Sequence, residues 1–139
     1  MAKRLLTGGI VLASMSIFPI LADAQGMRED ASACDEAVQL FESRPDKASH
    51  ADNRAVVLMY KSQFCPARLT AKNGTNIRWL NIENRTSHSV WFKNDGLEES
   101  DRIFPGEHID MTINMTQGER PYLCGPHWEG GMTGLLIIN

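Results

Sequence analysis

The sequence predicts an all-β domain, a sandwich or barrel of short strands preceded by one helix. Three observations lead there. Short β-prone runs recur from residue 54 onward, each bounded by turn residues. Only one earlier stretch of the mature chain, residues 28 to 43, spaces its apolar residues as a helix does. Finally, 139 residues that are 42% hydrophobic and 22% charged suffice for one compact core and are too few for a multidomain enzyme.

Taken in order, Lys3 and Arg4 precede an apolar run from Leu5 to Ala22, and Ala22-Asp23-Ala24 has the small-x-small form of a secretory cleavage site. Residues 1–24 are therefore expected to be a signal peptide, and the mature chain to work outside the reducing cytosol, in the periplasm. A retained membrane anchor fits less well, because Thr7, Pro19 and two glycines interrupt the run. In the helical stretch Ala33, Cys34, Ala37, Val38 and Phe41 share a face, and Glu29, Asp30, Asp35 and Glu36 lie toward its start, where the helix dipole favours acids. Arg44-Pro45-Asp46 ends it, and the polar stretch to Asn53 reads as a loop.

The β-prone runs are Arg54 to Tyr60, Arg68 to Lys72, Asn76 to Glu83, Ser87 to Lys93, His108 to Met115 and Thr133 to Ile138. An antiparallel arrangement is expected, with Asn73-Gly74 as a hairpin signal and further reversals at Asn94-Asp95-Gly96, Phe104-Pro105-Gly106 and Gln117-Gly118. Ile77 and Trp79, with Leu80 or Ile82, alternate toward and away from a core. Neither an internal repeat nor a low-complexity tract is evident. Asn-x-Thr triplets begin at Asn73, Asn84 and Asn114, and such triplets are common enough by chance to carry no functional weight.

The net charge is −3 overall, and it becomes −4 once Lys3, Arg4 and Asp23 are removed. No cationic field is left to attract a phosphate backbone, so nucleic acid is excluded as an expected partner. Chemistry concentrates instead at Cys124-Gly125-Pro126-His127-Trp128-Glu129-Gly130-Gly131-Met132, a Cys-x2-His-x4-Met loop between one strand and the last. It offers a thiolate, an imidazole and a thioether, donors of graded softness. Two histidines and a cysteine with a weak Met suit copper cycling between its oxidation states. His88, at the start of an upstream run, is the best second histidine. His50 and His108 lack such surroundings and read as structural; Met59, Met111 and Met115 read as core packing.

These residues resemble the cupredoxins, the small blue copper proteins, and especially the plastocyanin, pseudoazurin and amicyanin group. Tyr122, Cys124, Pro126, His127, Gly131, Met132 and Gly134 follow in the family's order, and Leu69 to Asn81, His88-x-Val90 and Phe104-Pro105-Gly106-Glu107 are similar too. The resemblance implies a Greek-key β-sandwich, with a core over residues 66–139, preceded by the helix, loop and first strand in residues 25–65. It implies one copper ion held by His88, Cys124, His127 and Met132, with Ser89 and Pro126 shaping the site. Ser89 departs from the family, in which Asn usually follows the first histidine and ties the two ligand segments together.

In an oxidising compartment the remaining cysteines, Cys34 and Cys65, are expected to pair, which would stabilise the fold by roughly 3.5 kcal/mol through chain entropy. The function implied is one-electron transfer by a soluble monomer, with no substrate bond made or broken. Its partners would be redox proteins such as a cytochrome c, a periplasmic dehydrogenase or a terminal reductase or oxidase. Trp128 would sit exposed beside the metal as a docking residue, and Asp95, Glu98, Glu99 and Asp101 would form an acidic loop. A periplasmic copper carrier or copper-site assembly factor is the rival, which Met111 and Met115 would favour. A structural zinc site fits less well, since zinc seldom takes Met.

Overall fold

The computed structural model describes residues 30–139, so the expected signal peptide lies outside the described residues. Helix α1 (Ala31–Glu42) begins where Asp30 accepts a hydrogen bond from the Ser32 amide at 3.0 Å. It is followed by a second helix, α2 (Lys47–Ala51), in the stretch expected to be a loop. His50 explains this difference. Its ring is buried, with Nε2 3.2 Å from Asp46 Oδ2 and Nδ1 3.1 Å from the Arg78 guanidinium. Arg78 in turn holds Asp110 through two bonds of 2.7 and 2.6 Å. Five residues are too few for periodicity to reveal, and a tertiary contact fixes them.

Seven strands follow: β1 (Ala55–Tyr60), β2 (Gln63–Cys65), β3 (Arg68–Ala71), β4 (Asn76–Asn81), β5 (His108–Thr112), β6 (Gly118–Leu123) and β7 (Thr133–Ile138). They form one sheet in the order β2-β1-β4-β5 and a second in the order β3-β7-β6. The sandwich is as expected, but its sheets are mixed: β1 runs parallel to β4, and β3 parallel to β7. Asn73-Gly74 is accordingly a turn carrying the chain from one sheet to the other, since β3 and β4 are not paired. Pro121, which has no amide hydrogen to donate, sits on the edge strand β6.

The run from Ser87 to Lys93 is not a strand, and its hydrogen bonds say why. Only His88 and Trp91 form bridges, to Ile103 and Leu123 respectively. Between them the Ser89 amide points at Cys124 Sγ and the Val90 amide donates to Ser100 Oγ. Side chains take the place of a neighbouring strand.

The alternation in β1 and β4 sorts side chains to two cores. Val57, Met59, Ile77 and Trp79 face between the sheets, packing with Phe64, Phe92 and Tyr122. Leu58, Leu80 and Ile82 face the other way and are buried with Cys34, Ala37 and Cys65 under α1. The helix thus covers the outer face of the first sheet, and the Cys34–Cys65 disulfide pins it there. Among the described residues no helix is long and apolar enough to cross a membrane.

Candidate metal centre

Cys124 follows β6 directly, and the loop it opens is closed by its own backbone. The Cys124 amide donates to the Met132 carbonyl at 3.1 Å, the His127 amide to the Cys124 carbonyl at 3.1 Å, and the Met132 amide to the His127 carbonyl at 3.2 Å. Gly131, at φ +96°, makes the final reversal, a conformation that favours glycine. On the facing segment, His88 exchanges two backbone hydrogen bonds with Ile103, of 3.1 and 2.8 Å. Trp91 and Leu123 exchange two more, of 2.9 and 3.1 Å, and these set the His88 and Cys124 segments, whose key residues are 36 apart in sequence, edge to edge.

The structure brings His88, Cys124 and His127 together, with the donor atom of each within 4.8 Å of the others. Cys124 Sγ lies 3.4 Å from His127 Nδ1 and 3.7 Å from His88 Nδ1. His88 and Cys124 are 0% exposed; His127 is half-buried, so its ring links the cluster to the surface. Met132 is fully buried in the same core as Cys124. Pro126 is exposed at the loop's crest. His50 and His108 stand apart from this cluster, edge to face with each other at 5.5 Å.

Electrostatics prepare the donors. His88 Nε2 lies 2.9 Å from Glu83 Oε1, and a carboxylate only accepts, so the ring hydrogen sits on Nε2 and the lone pair of Nδ1 faces the thiol. Burial pushes the His88 ring below the ordinary histidine range, against the pull of Glu83, and so favours the neutral, ligating form. Burial also raises the Cys124 thiol, a shift opposed by amide hydrogen bonds from Ser89 and His127. Metal ligation requires the thiolate, so an ion entering here displaces a proton.

Ser89 keeps the tie expected of the family's Asn. Its amide lies 3.4 Å from Cys124 Sγ, its Oγ accepts from the Gly125 amide at 2.9 Å, and its hydroxyl donates to Glu99 Oε1 at 2.6 Å. Sequence reasoning missed Glu83 and the part played by Glu99. Glu83 stood in no motif, and Glu99 looked like one more acid in a solvated loop. That loop is less of a free acidic patch than expected, because Asp95 Oδ1 accepts from Arg120 at 3.1 Å as well. Trp128 is 48% exposed, beside Lys93, whose ammonium lies 5.9 Å from its ring and 5.0 Å from that of Trp91.

A two-sheet sandwich with a buried thiol, two imidazoles and a thioether at one end defines a class: β proteins built to hold a single soft metal ion. The cupredoxin-like domain family model matches residues 37–138, and the chain belongs to that family. It is 31% identical over 86 residues to the chloroplastic plastocyanin of Tetradesmus obliquus, an alignment covering 55% of this chain and spanning 58% of the plastocyanin's length. An oxidized point mutant of amicyanin superposes with a TM-score of 0.58 at 26% identity, over 66% of this chain and 88% of that one. A Cu-containing nitrite reductase from Thermus scotoductus SA-01 shares the fold, with a TM-score of 0.54 at 22% identity over 62% of this chain and 22% of its own. The cofactor that suits the donor set is one copper ion.

Proposed function

We propose that the protein is a periplasmic one-electron carrier in which His88, Cys124 and His127 hold one copper ion and Met132 is the weak fourth donor. The observation that carries this reading is the approach of the three donor atoms to within 4.8 Å inside a buried, hydrogen-bonded frame. Copper, when bound, supplies a one-electron couple between Cu(II) and Cu(I). The chain's residues supply the rest. His88 and Cys124 are packed against the core and held by Glu83 and Ser89, so the donors stay in place whichever oxidation state they meet. Val90, Phe92 and Ile103, all buried, keep water out.

The half-buried His127 ring is the exit for the electron, and the exposed Trp128 next to it gives a redox partner an apolar surface on which to dock briefly. Met111 and Met115, which a copper-delivery protein would present to solvent, are partly buried and packed against the core. A cytochrome c, a periplasmic dehydrogenase or a terminal reductase or oxidase is the class of partner proposed.

The test is to load the purified protein with Cu(II) and record visible and electron spin resonance spectra before and after ascorbate. An intense thiolate-to-copper band with narrow hyperfine splitting, bleached reversibly, is expected. A colourless protein, or one that retains only Cu(I), would overturn electron carriage in favour of copper delivery. Export is checked separately: N-terminal sequencing of the periplasmic fraction should begin at Gln25, and a chain still starting at Met1 would refute it.

A further inference from the structure

Glu99 is held against the metal-binding loop more firmly than an exposed loop acid has reason to be. Its Oε1 accepts the Ser89 hydroxyl at 2.6 Å, and the oxygen of that same hydroxyl accepts the Gly125 amide at 2.9 Å. The carboxylate also lies so close to the Gly125 backbone that a Cβ there would come within 2.0 Å of Oε1. The next residue fastens the arrangement: the Ser100 amide donates to the Val90 carbonyl at 3.0 Å, and Ser100 Oγ accepts the Val90 amide at 2.9 Å. One carboxylate oxygen is therefore turned inward, one hydroxyl away from a residue whose amide faces the Cys124 sulfur at 3.4 Å.

We propose that Glu99 is a positioning residue for the redox centre: through Ser89 it braces the Cys124 loop, and its fixed negative charge favours the more highly charged, oxidised state of the site. The bracing follows from orientation. Ser89 has one hydrogen to give, and giving it to Glu99 leaves its lone pairs directed at the Gly125 amide. A charged acceptor makes that first bond stronger than a neutral one would. The charge acts by the ordinary rule that a nearby anion stabilises added positive charge. Glu99 thus holds the Ser89–Gly125 link from a third segment.

The inference rests on the copper reading for its electrostatic part and not for its mechanical part, so two readouts separate them. On copper-loaded protein, Glu99→Gln keeps an oxygen to accept the Ser89 hydroxyl but removes the charge. It should raise the reduction potential, with the Cu(II)-over-Cu(I) preference falling about tenfold, which is ~59 mV for a one-electron couple. Its visible band should remain at the wild-type position. On the metal-free protein, Glu99→Ala should speed amide hydrogen exchange at Gly125 at least tenfold, whereas Glu99→Gln should leave it near the wild-type rate.

A Glu99→Gln potential equal to that of the wild type overturns the electrostatic role. Gly125 exchange that is unchanged in Glu99→Ala overturns the brace. If the wild-type protein took up no copper, the function proposed above would fail, and the exchange experiment would still decide the mechanical half.

Discussion

The double replacement Cys34→Ala/Cys65→Ala tests how the front of the chain is joined to the sandwich. The two cysteines are 31 residues apart in sequence, and closing a loop of that size restricts the unfolded chain by about 3.5 kcal/mol in the chain-entropy account. Both side chains are also buried under α1 with Leu58, Leu80 and Ile82, so trimming two sulfurs adds about 1 kcal/mol of lost packing. For a domain of roughly 110 residues, about 4 °C per kcal/mol gives a fall in Tm of about 15–20 °C. Thermal denaturation of the metal-free protein by circular dichroism measures the fall in Tm, and urea denaturation measures the free-energy loss, each protein fitted with its own slope because releasing the cross-link expands the unfolded chain. Cys124 lies in the other core, so the copper-loaded variant should keep the wild-type visible spectrum. A loss below 1 kcal/mol would refute the view that α1 is a pinned part of the folded unit.

Three further outcomes are expected. Arg78 holds the Asp110 carboxyl below the usual carboxylate range, so the pair stabilises the fold above the unfolded-state value near 4 and that contribution is lost as pH falls through the lowered one. Asp110→Asn should cost about 2 kcal/mol at pH 7 by leaving Arg78 buried without its anion, and should flatten the acid limb of the stability–pH curve; an unchanged acid limb would count against the pair. Gly134→Ala places a Cβ 2.3 Å from Cζ of the buried Tyr122, and should destabilise by about 1–3 kcal/mol in urea denaturation, a neutral result meaning that the ring can shift. Leu80→Ala, which opens a hole in the core under α1, should cost about 3 kcal/mol while leaving the thiolate-to-copper band in place; a shifted band would show that the two cores are coupled.

The centre was legible because three of its donors lie in one loop. Cys124, His127 and Met132 fall at spacings that a single reversal brings together, and the glycines that make the reversal are visible in the sequence. His88 was harder, since its 36-residue separation from Cys124 is bridged only by tertiary structure, and the family resemblance supplied it. Strand pairing was less legible still. Alternation in Asn76 to Asn81 tells which side chains turn inward but not which strand lies alongside, so the parallel β1–β4 ladder could not be read from it. At Ser87 to Lys93 the run is β-prone in composition, but burial is continuous from His88 to Val90 and does not alternate, and the amides between the bridges bond to a thiol and a hydroxyl rather than to a strand. Side-chain acceptors so distant in sequence leave no periodic trace.

The first sheet divides the molecule's work. On its inner face Trp79 packs with Phe92 and with Tyr122 of β6, the strand that leads into Cys124, edge to face or tilted at centroid separations of 5.0 to 6.1 Å. On its outer face Leu58 and Leu80 would be exposed in a bare sandwich, and α1 with its disulfide covers them. That face is apolar at the centre of the sheet, where β1 and β4 pair, and so needs a cover. The helix that precedes the β domain along the chain supplies that cover. Its burial lies on the face of the sheet opposite the core that contains Cys124 and Met132, which is why changes there are expected to alter stability and leave the proposed copper ligands in place.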